Sequence, residues 1–148
     1  MKQLHTKLNT KLAKLRALSW PERRTLLAAM AWMPLFWLGL HGLGLHRFQT
    51  WLQRPRLVTR NDLSLHEIMG MATMVNRGAR LVHIPGDCLP RSLLLGWLLR
   101  RRGVASQLRI GVKMDNGSLA AHAWVEYAGI PINDQPDVGA QFAAFQPL

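Results

Sequence analysis

Three residues of this chain are of types that can do chemistry together: Cys88, His122 and Asp134. A thiol attacks a carbonyl only as thiolate, an imidazole can take its proton, and a carboxylate can hold that imidazole in one tautomer. Cys88 is the only cysteine, which excludes an intramolecular disulfide. A lone cysteine is most often a small buried hydrophobe. Here it stands behind Gly86 and Asp87 at the start of a leucine-rich run rather than inside it, which favours the chemical reading.

The elements that would position these residues can be read locally. In GDCLPRSLLLGWLLRRRG, residues 86–103, Asp87 is expected to cap a helix with Cys88 at its first position and Pro90 in its first turn, where a missing N–H costs nothing. The positive end of a helix dipole favours thiolate over thiol, and its unpaired amides can cradle an oxyanion, with the Cys88 N–H as the first candidate. Leu94, Leu95, Leu98 and Leu99 would anchor the helix, and Gly103 would end it.

Leu108, Ile110, Val112 and Met114 then alternate with polar or small residues as in a half-buried strand, and Asn116-Gly117 is a strong hairpin turn. The next strand, Leu119 to Tyr127, sets His122, Trp124 and Glu126 on one face and leaves small alanines beside His122. A turn at Ala128-Gly129 returns the chain. With that hairpin centred on Ala128, paired residue numbers total 256 and His122 faces Asp134, where Cβ atoms stand roughly 5 Å apart. Asp137 is the reserve for Asp134. His83 is an alternative base that lacks a carboxylate partner. Trp124 is a candidate substrate-side wall, with plain core packing as the equal alternative.

The N-terminal half is helical and apolar. Leu4, Leu8, Leu12, Leu15 and Leu18 recur at helical spacing among lysines. Ser19 and Glu22 form a capping box that opens a second helix, and Ser64 and Glu67 form another opening a helix expected to end at Gly78. Met69, Met71 and Met74 read as gap-filling core residues. From Leu26 to Leu45 nearly every residue is apolar, about the length that a bilayer requires. Pro34, Gly39, Gly42, Gly44 and His41 argue for a core or partner-facing helix that breaks near Pro34 or Gly39. The segment, with Arg47, Arg54 and Arg56, is the expected docking surface for a partner, or else for a membrane.

The 148 residues, 49% hydrophobic, suffice for one sizeable core. A net charge of +11 implies attraction to an acidic peptide, nucleic acid or anionic lipid. The basic residues are scattered, and no zinc-finger spacing, RNA-recognition signature or phosphate-binding loop accompanies them, so nucleic-acid binding is disfavoured. The histidines show no metal-ligand spacing, and neither metal nor cofactor is expected. The absence of a secretory signal pattern and of paired cysteines points to a reducing cytoplasm, with membrane association as the alternative.

Cys88-Leu89, Arg91-Ser92-Leu93, the Arg100 to Gly103 stretch, Ile110-Gly111-Val112 and, above all, Ala121-His122-Ala123-Trp124-Val125-Glu126 followed by Asp134 resemble the lasso peptide biosynthesis B2 proteins, which are transglutaminase-like leader peptidases. In motif detail the resemblance covers residues 60 to 140. It implies an α+β fold in which a catalytic helix packs on an antiparallel sheet, a papain/transglutaminase-like core over residues 61–148 preceded by a helical region over residues 1–60. It implies Cys88 as nucleophile, His122 as base and Asp134 as orienter. The implied reaction is removal of the leader from a ribosomally made lasso precursor, in concert with an ATP-dependent macrolactam cyclase. Because the chain opens directly on the helical region, leader recognition is expected on a separate small protein. Pro90 departs from the family pattern, and the oxyanion donors do not carry over. Two other classes fit the same residues: a transglutaminase or amidase on this scaffold, and a non-enzymatic basic membrane or maturation adaptor.

Overall fold

The computed structural model describes residues 17–53 and 63–145. The leucine-spaced segment before Ala17, the connection from Arg54 to Arg60 and the expected boundary between residues 60 and 61 lie outside the described residues.

Four helices precede a small antiparallel sheet: α1 (Trp20–Leu43), α2 (Leu45–Leu52), α3 (Leu65–Val82) and α4 (Cys88–Arg100), then β1 (Gln107–Asp115), β2 (Ser118–Tyr127), β3 (Ile130–Pro131), the short α5 (Val138–Gln141) and β4 (Ala143–Ala144). Strand order is β3-β2-β1-β4. The fold is α+β, and residues of α1 to α4 share one core with Val125 and Ile132.

Both capping boxes form. The Ser19 amide and hydroxyl each donate to Glu22 Oε2 at 2.7 Å. At α3 the Ser64 amide donates to Glu67 Oε2 at 2.8 Å while the Glu67 amide donates to Ser64 Oγ at 3.3 Å. The serine hydroxyls, seconded by the backbone amides, hold both glutamate carboxyls below their ordinary range.

The helix break expected at Pro34 or Gly39 is absent, and α1 runs on to Gly44, whose φ of 73° ends it. An interior proline costs about 3 kcal/mol. Met33 and Phe36 on either side of it are buried, each contributing about 1.5–3 kcal/mol, so packing outweighs the lost hydrogen bond. Gly39 instead permits contact: a Cβ there would lie 2.5 Å from the Phe48 ring of α2. Gly78, expected to end α3, lies inside it. A Cβ at Gly78 would meet Ala29 Cβ at 2.7 Å, so this glycine sets the close approach of α1 and α3. His83, in the left-handed conformation at φ 55°, is the actual C-cap.

Ring contacts tie α4 to the N-terminal helices. Trp97 packs on Trp32 at 5.1 Å and on Phe36 at 5.6 Å, and Phe36 meets Phe48 edge-on at 5.2 Å. Leu94, Leu95 and Leu99 are fully buried beside them, as the leucine run requires.

In the sheet, Asp115 pairs with Ser118 across Asn116-Gly117. Both turn residues have positive φ, 49° and 81°, the geometry of a tight two-residue hairpin. The second hairpin corrects the expected register. Tyr127 pairs with Ile130 and Glu126 with Pro131. Ala128 and Gly129, at φ 50° and 78°, make another two-residue turn, so its centre falls between them and not on Ala128. In that register Gln135, not Asp134, would face His122. The strand ends at Pro131, which has no N–H to donate. After one further rung from the Ile132 amide to the Val125 carbonyl at 3.0 Å, the chain bends. On β1 the expected alternation fades toward the hairpin tip, where Met114 is exposed.

Candidate active site

α4 begins at Cys88, a half-buried free thiol. Asp87 holds the N-cap position without capping. Its side chain makes no cap hydrogen bond and lies 3.8 Å from the Arg91 guanidinium. Of the first amides of the helix, that of Arg91 bonds the Asp87 carbonyl at 2.9 Å, and Pro90 has none. The amides of Cys88 and Leu89 are left unclaimed among the described residues, two donors at the positive end of a helix beside the thiol.

His122 and Asp134 are brought together by the bend after β3. His122 Nε2 lies 2.6 Å from Asp134 Oδ2. A carboxylate only accepts, so Nε2 carries the proton and Nδ1 is left as the basic nitrogen. The second oxygen, Asp134 Oδ1, accepts the Gln135 amide at 2.8 Å, so the carboxylate is held at both ends. The pair is partly shielded, with side chains 22% and 19% exposed. Phe142 packs against the imidazole at 5.0 Å between ring centroids and Trp124 at 6.2 Å, the three rings forming one cluster with Trp124 and Phe142 6.4 Å apart.

A buried polar junction joins the helix to this pair. Ser92 stands one turn after Cys88, about 6 Å along the helix axis. Its Oγ donates to the Ala123 carbonyl at 3.0 Å and accepts from Asn133 Nδ2 at 3.1 Å. Asn133 Oδ1 accepts the Val125 amide at 2.8 Å, and Asn76 Nδ2 of α3 donates to the Asn133 carbonyl at 2.9 Å. Ala123 and Asn133 are the immediate neighbours of His122 and Asp134. One hydroxyl therefore links the helix that begins at Cys88, the strand of His122 and the loop of Asp134. Among the described residues no hydrogen bond links Cys88 to His122; the tie between α4 and β2 runs through Ser92 and the Ala123 carbonyl.

The remaining candidates have other partners. Trp124 is fully buried beside the His122 ring, its Nε1 donating to Glu126 at 2.9 Å, so core packing accounts for its position. Gly111 makes room for it: a Cβ there would lie 3.0 Å from the indole and 2.9 Å from Phe142 Cβ. Glu126 also pairs with Arg109 at 3.6 Å. His83 is exposed, with Nδ1 on the Leu81 carbonyl at 3.0 Å. Asp137 accepts from Gln141 Nε2 at 2.9 Å in α5. No group of metal-binding side chains occurs among the described residues. A cavity of about 590 Å³ lies between α2, α4 and residues 103–108, with Ser92 in its lining.

Asn133 and Phe142 did not stand out in the sequence, and Ser92 stood out only as part of the family resemblance. A single serine in a leucine run, four residues from the cysteine, was the signal for Ser92. Asn133 and Phe142 carry none, because their partners are distant in the chain.

The profile of the Transglutaminase-like superfamily matches residues 30–146. The chain belongs to this family. Transglutaminase-like domains are typically cysteine-based enzymes of acyl transfer and proteolysis. The match to the transglutaminase-like profile begins inside α1, so the helical region and the sheet are matched together. Neither the curated proteins nor the solved structures give a match to the chain.

Proposed function

We propose that this transglutaminase-like protein is a cysteine endopeptidase that removes the leader from a ribosomally made lasso peptide precursor in the cytoplasm. It would act beside a separate small leader-recognition protein and an ATP-dependent macrolactam cyclase, without a cofactor of its own. The observation that carries the enzymatic part is the 2.6 Å contact between His122 Nε2 and Asp134 Oδ2, on a strand tied by Ser92 to the helix that starts at Cys88. The substrate and pathway rest on the resemblance of Cys88 to Leu93 and Ala121 to Glu126, with Asp134, to the B2 leader peptidases.

In the proposed cycle His122 Nδ1 takes the Cys88 proton as sulfur bonds to the scissile carbonyl carbon. The carbonyl oxygen becomes an oxyanion facing the Cys88 and Leu89 amides. His122 returns the proton to the departing amine, the C–N bond breaks, and a thioester remains on Cys88. Water, deprotonated by His122, then releases the leader as a free carboxylate and restores the thiol. Asp134 accepts a hydrogen bond from Nε2–H throughout, stays ionised and stabilises the imidazolium. An amine in place of water would make the same site a transferase.

The test is cleavage of a lasso precursor by the purified protein, with and without the leader-recognition protein, followed by mass spectrometry. The expected products are a core with a free amino terminus and a leader with a free carboxylate. Cleavage should accelerate with the partner because binding raises the effective substrate concentration. Transfer of the leader to an added amine in preference to water, or no turnover of a precursor under either condition, would contradict the peptidase reading.

A further inference from the structure

α1 is apolar on two opposite sides, and the fold covers only one of them. Leu26, Ala29, Met33 and Phe36 face the core. On the other side Trp20, Leu27, Leu35 and Leu38 are 71%, 64%, 53% and 58% exposed. Between Arg24 and His41 the helix carries no charged residue. A helix apolar all round calls for apolar surroundings all round. Contiguous exposed apolar strips of this kind on soluble domains mark contact surfaces.

The charge around the strip indicates what covers it. Arg24 lies at one end, and His46 and Arg47 of α2 lie beyond the other, in a chain of net charge +11. The acidic residue nearest the strip, Glu22, is held by the Ser19 amide and hydroxyl. Exposed tryptophans stand near both ends, Trp20 and Trp51, the residue type that sits at a membrane–water boundary. Leucines between cationic and tryptophan-bearing ends match an anionic lipid surface. The opposite face decides between spanning and lying flat. Although α1 is long and apolar enough to cross a membrane, Leu26, Met33 and Phe36 hold it in the core, and a crossing helix would have to leave that core.

We propose that α1 lies in the plane of an anionic membrane surface, with Leu27, Leu35 and Leu38 immersed and the candidate active site on the water side. This attachment is independent of the peptidase reading, since it is read by binding and not by turnover.

The experiment is co-sedimentation of the full chain with vesicles of phosphatidylglycerol and phosphatidylethanolamine, against vesicles of phosphatidylcholine alone, at low and high salt. The expected result is binding to the anionic vesicles at least tenfold tighter than to the zwitterionic ones, weakening as salt rises. Leu27→Glu/Leu35→Glu/Leu38→Glu should abolish it while circular dichroism stays unchanged, because all three side chains point to solvent. Should the triple variant misfold, the single Leu35→Gln variant must still bind several-fold more weakly. Alkaline carbonate washing should release the protein. The proposal is overturned by no binding of the wild type to anionic vesicles, by equal binding to both lipids, or by unchanged binding of the folded variants. It is equally overturned by retention after the alkaline wash, which would mean a spanning helix, or by a stable dimer whose dissociation follows from the same substitutions, which would mean a second copy covers the strip.

Discussion

Replacing Ser92 by alanine removes one oxygen from the junction between α4, β2 and the Asp134 loop. Two hydrogen bonds disappear, to the Ala123 carbonyl and from Asn133 Nδ2, and both partners are buried. A buried polar group left unpaired costs about 1–3 kcal/mol, so two should cost about 2–4 kcal/mol once partial relaxation is allowed for. Urea unfolding followed by circular dichroism should show a lower midpoint with an unchanged slope. Ser118→Ala, at an exposed position beside the hairpin turn, should change stability by no more than about 0.5 kcal/mol. Peptide cleavage by folded Ser92→Ala should fall roughly 10- to 100-fold, since a displacement of about 1 Å between reacting groups costs about that much. A Ser92→Ala protein with the wild-type midpoint and the wild-type rate would refute the idea that this hydroxyl sets the helix against the strand.

Asp134→Asn should retain the fold and lower the cleavage rate by several orders of magnitude, because an amide can present N–H to the imidazole and favour the wrong tautomer, whereas Asp137→Asn should leave the rate unchanged; parallel rate measurements check both. Gly78→Ala should destabilise by about 1–3 kcal/mol in thermal or urea unfolding, as its Cβ would press on Ala29 where α1 crosses α3. The Glu22 and Glu67 carboxyls are held below their ordinary range, first by the serine hydroxyls. Their contribution is thus fully present above the unfolded glutamate value of about 4.3 and is lost as pH falls through the lower folded values. Ser64→Ala should flatten the acid limb of a stability–pH curve below about pH 4.5, and an unaltered limb would count against the capping account.

Much of this organisation was legible because it is local. Both capping boxes, the Asn116-Gly117 turn, and the helix beginning at Cys88 depend on residues within four positions of one another. What escaped was set by tertiary contact. α1 runs through Pro34 because Met33 and Phe36 are buried, and Gly39 and Gly78 are glycines for the sake of Phe48 and Ala29, which only packing reveals. At the site, His122 and Asp134 meet, yet not by the expected strand register. The hairpin is offset by one residue and closed by Pro131, and the bend that follows delivers the carboxylate. Trp124 shows the limit of reading a face from alternation. It shares a face with His122, but Phe142, from eighteen residues further on, closes over that face and buries the indole.

The central claim is that Cys88 is the nucleophile of an acyl transfer served by His122 and Asp134. Its most direct test is intact-mass measurement of protein quenched in acid during turnover of a precursor peptide, with the modified residue mapped by fragmentation. The account predicts a leader-acyl thioester on Cys88 in the wild type. It predicts neither adduct nor cleavage in a folded Cys88→Ala variant, and both strongly reduced in His122→Ala. A Cys88→Ala protein that still cleaves at the wild-type rate would contradict it.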